Sequence, residues 1–272
     1  MVQKRHRLGD KEYNLDIIED VVNKSDSDLI IFPEMFLTGY TLRDDYWYEA
    51  EEIPGTSSKK ISELARSNDC TIICGMPEKT VPGKGRVHNS ALTATPDGEL
   101  HVYRKTHLVN MGPFQDKRYF EAGNALDIIK TPQCNIGVLI CYDIFFPELT
   151  KTYALKGADI LVCISASPSA TRKFFETVIP ARAVETTSFM FYSNLIGRED
   201  QMVFWGGDTA VSPTGKLLAK GPLYEEAVID VDIDLYDLVK ARRGRPALDD
   251  TRKDVLMEQM LSCDREENQN SE

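Results

Sequence analysis

The stretch Asn135-Ile136-Gly137-Val138-Leu139-Ile140-Cys141-Tyr142-Asp143-Ile144-Phe145-Phe146-Pro147-Glu148 decides how the chain is read. An apolar, β-branched run, of the kind that fills a buried strand, stops at a cysteine. The chain then turns through Tyr142 and Asp143 to a Pro-Glu pair. That pair makes a preorganised first helical turn with an acid beside the positive helix end. Cys141 is therefore expected on a strand-to-helix corner at the carboxyl edge of a sheet, where open α/β sheets place their chemistry. A helix N-terminus and a nearby cation would there favour its thiolate.

Working outward, strands and helices alternate at first. A helix opens after Asp10, a plausible N-cap, and runs through Val21 and Val22 at helical spacing. Residues 28–32 and 70–75 are short apolar strands, with a helix over 57–66 between them. Residues 87–95 and 100–105 form a hairpin about Pro96-Asp97-Gly98. The helix after Glu148 stops at Gly157, a C-cap. Strands follow at 159–164, 189–193, 203–211, 217–219 and 227–231, with a helix over 174–186. This is a mixed α/β pattern, with helices covering buried strands. Residues 1–246 read as one domain, and 247–272 as a C-terminal arm and a charged, disordered tail.

Composition narrows the field. The 272 residues carry a net charge of -11 and a pI near 5.0, which argues against a nucleic acid held on a basic face. Six cysteines are scattered through the chain, several in apolar runs. With no secretion signal they read as reduced thiols of a cytoplasmic protein. Neither they nor the four histidines have metal-site spacing. No metal, no cofactor and no membrane segment is expected.

Three strand ends carry a reactive group: Glu34 after Ile30-Ile31-Phe32, Lys105 after Tyr103, and Cys141 after Leu139-Ile140. If the strands are neighbours, the three converge on one edge of one sheet. A desolvated carboxylate can take a thiol proton and later activate water. An ammonium can stabilise the anion formed when sulfur adds to a carbonyl, and the thiol can carry an acyl group. Each also has an ordinary reading: a small buried hydrophobe, a solvated loop acid, a surface lysine. Spacing alone leaves both open.

Phe32-Pro33-Glu34, then Tyr103-Arg104-Lys105-Thr106-His107-Leu108, then Cys141-Tyr142-Asp143-Ile144-Phe145-Phe146-Pro147-Glu148 resemble, in this order, the three signatures of the nitrilase superfamily of carbon–nitrogen hydrolases. Gly9-Asp10 with Asn14, His88-Asn89-Ser90, Tyr119-Phe120-Glu121-Ala122-Gly123, Pro180-Ala181-Arg182-Ala183 with Glu185, and Ser212-Pro213-Thr214-Gly215 fit the same pattern. The resemblance implies an αββα sandwich that pairs with a second copy into an αββα–αββα dimer, often assembled further. It implies Glu34 as base, Lys105 as oxyanion stabiliser, Cys141 as nucleophile and the Tyr142 N–H as second oxyanion donor. It implies hydrolysis of a small amide or nitrile, with a thioester on the cysteine.

Two departures stand out. Many members carry a second glutamate before the nucleophile. Here that place falls on Asp116, one methylene shorter, with Glu121 the nearest glutamate. Of the usual first strand only Met1-Val2-Gln3 is present, which implies either a start upstream of Met1 or a truncated strand with an exposed sheet edge. For the substrate, some branches place an arginine after the cysteine to hold a carboxylate. Here Ile144 and Phe145 stand there, an apolar wall suited to neutral amides, with Phe145, Ser165 and Ser167 as pocket residues and Arg182 or Arg198 as alternative cations. Ser165-Ala166-Ser167-Pro168 with residues 197–204 also resembles the glutaminase domain of glutamine-dependent NAD synthetases, an activity that would need a synthetase partner. Trp-Glu often follows the cysteine in nitrilases; Tyr142-Asp143 ranks amidase first. A silent scaffold is the non-enzyme alternative. Arg242-Arg243-Gly244-Arg245-Pro246 reads as a solvated charge cluster or a subunit-contact arm.

Overall fold

Two β-sheets lie face to face, and the period-two alternation of their strands explains why. In the computed structural model, which describes residues 1–80, 87–255 and 257, the strands are β1 (Val2–Gln3), β2 (Leu29–Ile31), β3 (Thr71–Lys79), β4 (Val87–Ala94), β5 (Leu100–Arg104), β6 (Ile129–Lys130), β7 (Asn135–Ile140), β8 (Ile160–Ser165), β9 (Phe189–Asn194), β10 (Ile196–Glu199), β11 (Met202–Trp205), β12 (Thr209–Val211), β13 (Leu217–Lys220) and β14 (Ala227–Val228). The helices are α1 (Lys11–Asn23), α2 (Tyr46–Glu49), α3 (Thr56–Ser67), α4 (Asp116–Tyr119), α5 (Pro147–Leu155), α6 (Arg172–Thr186) and α7 (Tyr236–Gly244).

One sheet has four strands in the order β2-β3-β4-β5, the other six in the order β13-β12-β9-β8-β7-β6. In the first, Ile30, Ile72, Cys74, Leu92 and Ala94 face Leu15, Ile18, Val22, Ile61 and Ala65 of α1 and α3. Their neighbours Ile31, Ile73 and Ala91 face the other way and pack with Val138, Ile140, Val162 and Phe191 of the second sheet. Leu149 and Tyr153 of α5 and Phe175, Ile179 and Ala183 of α6 cover that sheet from outside. The layers therefore run helix, sheet, sheet, helix, each sheet buried on both faces, and the αββα expectation is met. Among the described residues no helix is long and apolar enough to cross a membrane.

Several local expectations change. β1 is short, but it does not leave an open edge. It pairs antiparallel with β14 (Val2 with Val228, Gln3 with Ala227). The buried Gln3 amide accepts from the Asp208 N–H at 2.7 Å and donates to the Pro222 and Glu225 carbonyls. The strand expected over 227–231 is confined to Ala227–Val228; Ile229 continues the pairing on Met1, and Val231, Ile233 and Leu235 after it pack on the core. α7 was not expected, and only its last residues fall in the Arg242–Pro246 cluster; Leu238 and Ala241 alone on it are buried, too thin a stripe to read. Arg242 is no solvated cluster member: it donates to the Ala158 carbonyl at 3.0 Å and pairs with Asp159 at 3.3 Å. Of the arm and tail, residues 256 and 258–272 lie outside the described residues.

Candidate active site

Pro33 ends β2, and Glu34 follows in a turn that lies directly on β3. Gly75 permits that contact: a Cβ there would stand 2.3 Å from the Met35 nitrogen and 2.6 Å from the Glu34 Cα. Lys105 follows β5, with its N–H on the Asn89 carbonyl and its own carbonyl accepting from Gly123, both at 2.9 Å. Its Nζ donates to Glu34 Oε1 at 2.9 Å and to Asp116 Oδ2 at 2.8 Å. Asn89 Nδ2 donates to Glu34 Oε1 at 2.7 Å, and the Ala166 N–H to Oε2 at 2.6 Å. Glu34 and Lys105 are fully buried, which removes the solvated-acid and surface-lysine readings.

Asp116 reaches Lys105 in spite of its shorter side chain. Its N–H is tied to the Val109 carbonyl at 3.0 Å, and Tyr40 Oη donates to its other oxygen at 2.6 Å. Glu121 stands elsewhere, its N–H on the Val87 carbonyl.

Cys141 does not share a sheet edge with Glu34 and Lys105. The base and the ammonium hang from the four-stranded sheet, while Cys141 ends β7 of the six-stranded one. The groups meet across the sandwich, because β7 finds its partners in β6 and β8. The corner itself is as expected: residues Cys141–Phe145 form a 3-10 turn and Pro147 opens α5. Cys141 sits at φ 50°, a left-handed conformation costly for a residue with a Cβ and kept only where the surroundings impose it.

The electrostatics correct the expected thiolate. Burial first, then the charge of Glu34, push the Cys141 thiol far above its ordinary range, and Lys105, the Ser165 hydroxyl and the Ala166 amide do not offset them. Burial also pushes Glu34 up, Lys105 pulls it back and Asp116 raises it again. Burial alone would lower Lys105, but Asp116, Glu34 and Cys141 outweigh it and raise its pKa well above the ordinary value. One ammonium between two carboxylates leaves nothing to hold a third anion, so the resting sulfur is a thiol beside a proton acceptor.

The outer residues divide. Tyr142 is half-buried, its ring edge-on to Phe146 at 5.2 Å. Phe145 packs edge-on against Phe175 of α6 at 4.9 Å, which makes it part of the helix packing. Ser165, the last residue of β8, is fully buried, with its hydroxyl beside the Cys141 sulfur and the Tyr192 hydroxyl. Ser167 belongs to the framework: its hydroxyl meets Thr171 at 2.7 Å and accepts from Trp205 Nε1 at 3.2 Å. Arg182 is committed to the Ile144 carbonyl and Glu185, both at 2.8 Å, and Arg198 to the Asp200 carbonyl at 3.0 Å. Among the described residues no group of three or more His, Cys, Asp or Glu is placed to hold a metal ion.

Three neighbours of the site were missed. Asn89 entered only through the resemblance, with no role; it touches Glu34 because β4 lies between β3 and β5. Tyr40 and Asp143 carried no signal of their own.

Known proteins resemble the chain over nearly its whole length. A family model described as carbon-nitrogen hydrolase matches residues 1–243. The chain is 30% identical over 268 residues to "Probable nitrilase C965.09" of Schizosaccharomyces pombe, covering 96% of this chain and 97% of that protein. It is 32% identical over 255 residues to an (R)-stereoselective amidase of a Pseudomonas species, covering 93% and 90%. The crystal structure of a CN-hydrolase superfamily protein from Xanthomonas campestris, with an arsenic adduct in its active site, superimposes with a TM-score of 0.85 at 26% identity. That match covers 93% of this chain and 96% of the other.

Proposed function

The chain belongs to the carbon–nitrogen hydrolase family and is an enzyme of that kind, and on that footing we propose that it hydrolyses a small, neutral carboxamide to the carboxylate and ammonia. Glu34 takes the Cys141 proton as sulfur attacks the amide carbon. This transfer moves a negative charge from carboxylate to sulfur without adding one to the buried site. The oxyanion is met by the Lys105 ammonium and the Tyr142 N–H, donors that need no reorganisation in a dry site. As the intermediate collapses, the proton on Glu34 passes to the leaving nitrogen and ammonia departs. Glu34 then accepts a proton from water, whose oxygen attacks the thioester and releases the acid and the thiol. Asp116 completes the site as the second carboxylate on the Lys105 ammonium.

The observation that carries this reading is the buried chain Asn89–Glu34–Lys105–Asp116, closed by hydrogen bonds of 2.7, 2.9 and 2.8 Å, beside a thiol that its surroundings keep protonated. The similarity to a stereoselective amidase supports an amide, and the commitment of Arg182 to the Ile144 carbonyl and Glu185, and of Arg198 to the Asp200 carbonyl, leaves neither candidate cation to hold a substrate carboxylate. A nitrile is the second reading, favoured by the relative named a nitrilase. The enzyme works as a homodimer, on the family resemblance, and in the cytoplasm, on the free state of Cys70, Cys74, Cys134, Cys141 and Cys163.

Ammonia release across aliphatic and aromatic amides, the matching nitriles, carbamoyl compounds and glutamine tests the proposal. Amides should lead, and Cys141→Ala should lower turnover by about 10⁴-fold or more with the fold retained. Unchanged turnover in that variant, or release from no amide, overturns it.

A further inference from the structure

Asp143 lies two residues after the candidate nucleophile and is fully buried. Its Oδ2 accepts from Tyr103 Oη at 2.8 Å and from the Ile140 N–H at 3.1 Å. Its Oδ1 accepts from Thr106 Oγ1 and from the His107 N–H, both at 2.9 Å, with His107 Nδ1 at 3.2 Å. The donors come from two places. Ile140 is the last residue of β7, just before the left-handed Cys141; Tyr103, Thr106 and His107 flank Lys105 on both sides at the end of β5. One side chain thus ties the corner that carries the thiol to the strand end that carries the ammonium, across the gap between the sheets. The His107 ring closes the same junction by stacking on Phe146 at 3.6 Å.

We propose that Asp143 is a positioning residue that fixes the distance from the Cys141 sulfur to Lys105 and its partner Glu34. The inference rests on the reading of Cys141 as nucleophile. Each of its five hydrogen-bond partners can donate. An ionised carboxylate accepts on both oxygens, whereas an amide turns one N–H against a donor whichever way it is placed. The strained φ of Cys141 makes such a tie necessary, since a left-handed corner relaxes when its fixings are removed. A shift of about 1 Å in a reacting group is enough to cost roughly 10²-fold in rate.

Two readouts test this with the whole chain. One is the rate at which iodoacetamide alkylates Cys141, followed by peptide mass; the other is ammonia release from propionamide. In Asp143→Asn the alkylation rate and kcat should both fall roughly 10²-fold per folded molecule, with KM within about twofold of the parent. Should that variant fail to fold, Tyr103→Phe decides, since it removes one donor and leaves the carboxylate; a fall of about 3- to 10-fold in the same two quantities is expected. A merely structural Asp143 would lower the melting temperature while the folded fraction reacted at the parent rate in both variants, and that result overturns the proposal. If Cys141 of the parent itself resists alkylation, the reading of the site has failed, and this inference falls with it.

Discussion

At the scale of the residue, what stands out is that burial and the charge of Glu34 push the candidate nucleophile toward the thiol. Reactive cysteines in other settings are held as thiolates by a neighbouring cation, but here that cation already serves Glu34 and Asp116. Activation then depends on Glu34 being ionised, and burial raises its pKa above the ordinary glutamate value. The sign follows directly. Below that raised pKa the carboxyl is protonated and cannot take the thiol proton, so kcat/KM should rise with pH along a limb centred above the ordinary glutamate range. In Glu34→Gln this limb should be absent along with most of the activity. A pH–rate profile of the parent that stays flat down to pH 4.5 would refute Glu34 as the base. The types and order of Glu34, Lys105 and Cys141 were legible in the sequence because each ends a short apolar strand. Their protonation states were not, since these depend on which groups share one buried cavity. Asp143 was equally illegible: nothing near it in sequence announces that its partners come from residues 103–107.

At the scale of the element, β3 is the support on which Glu34 is mounted, and Gly75 is the point of contact. A methyl group there would meet backbone atoms of Glu34 and Met35, which cannot swing aside as a side chain can. Gly75→Ala is therefore expected to cost about 1–3 kcal/mol by overpacking and to lower kcat at least ~10²-fold by displacing the base. Chemical denaturation and ammonia release measure the two separately, and a variant that loses stability but keeps its turnover would show that the Glu34 turn is not held by this contact. The strands and helices that bury whole faces were read correctly from periodicity. β10 was not, because Gly197-Arg198-Glu199 looks like a loop; its pairing with β11, Glu199 opposite Met202, is supplied by tertiary context.

At the scale of the whole molecule, Glu199 draws three distant segments together. Its carboxylate accepts from the Tyr40 and Thr41 N–H groups, from Thr41 Oγ1 at 2.8 Å, and meets His6 Nε2 at 2.5 Å. Burial would raise its pKa, but the His6 hydrogen bond and charge, with the Thr41 and Tyr40 donors, bring it below the usual value. A depressed carboxyl contributes stability above its unfolded pKa and loses it as pH falls through the folded one. Glu199→Gln should thus destabilise the fold by about 3 kcal/mol at pH 7, and the gap from the parent should narrow below about pH 4.3. A gap that is constant with pH would mean that charge is not what Glu199 contributes. The layered architecture was legible from alternation, yet the sequence could not say that the reactive groups meet from opposite layers. That division also sets an order in time. The four-stranded sheet is built from residues 29–104 and the six-stranded one from 129–220. During synthesis the base, the ammonium and every strand of their sheet are made before residue 141 is translated. The thiol, the member most open to oxidation, is the last to arrive, and it is shielded as soon as its own strands close over it.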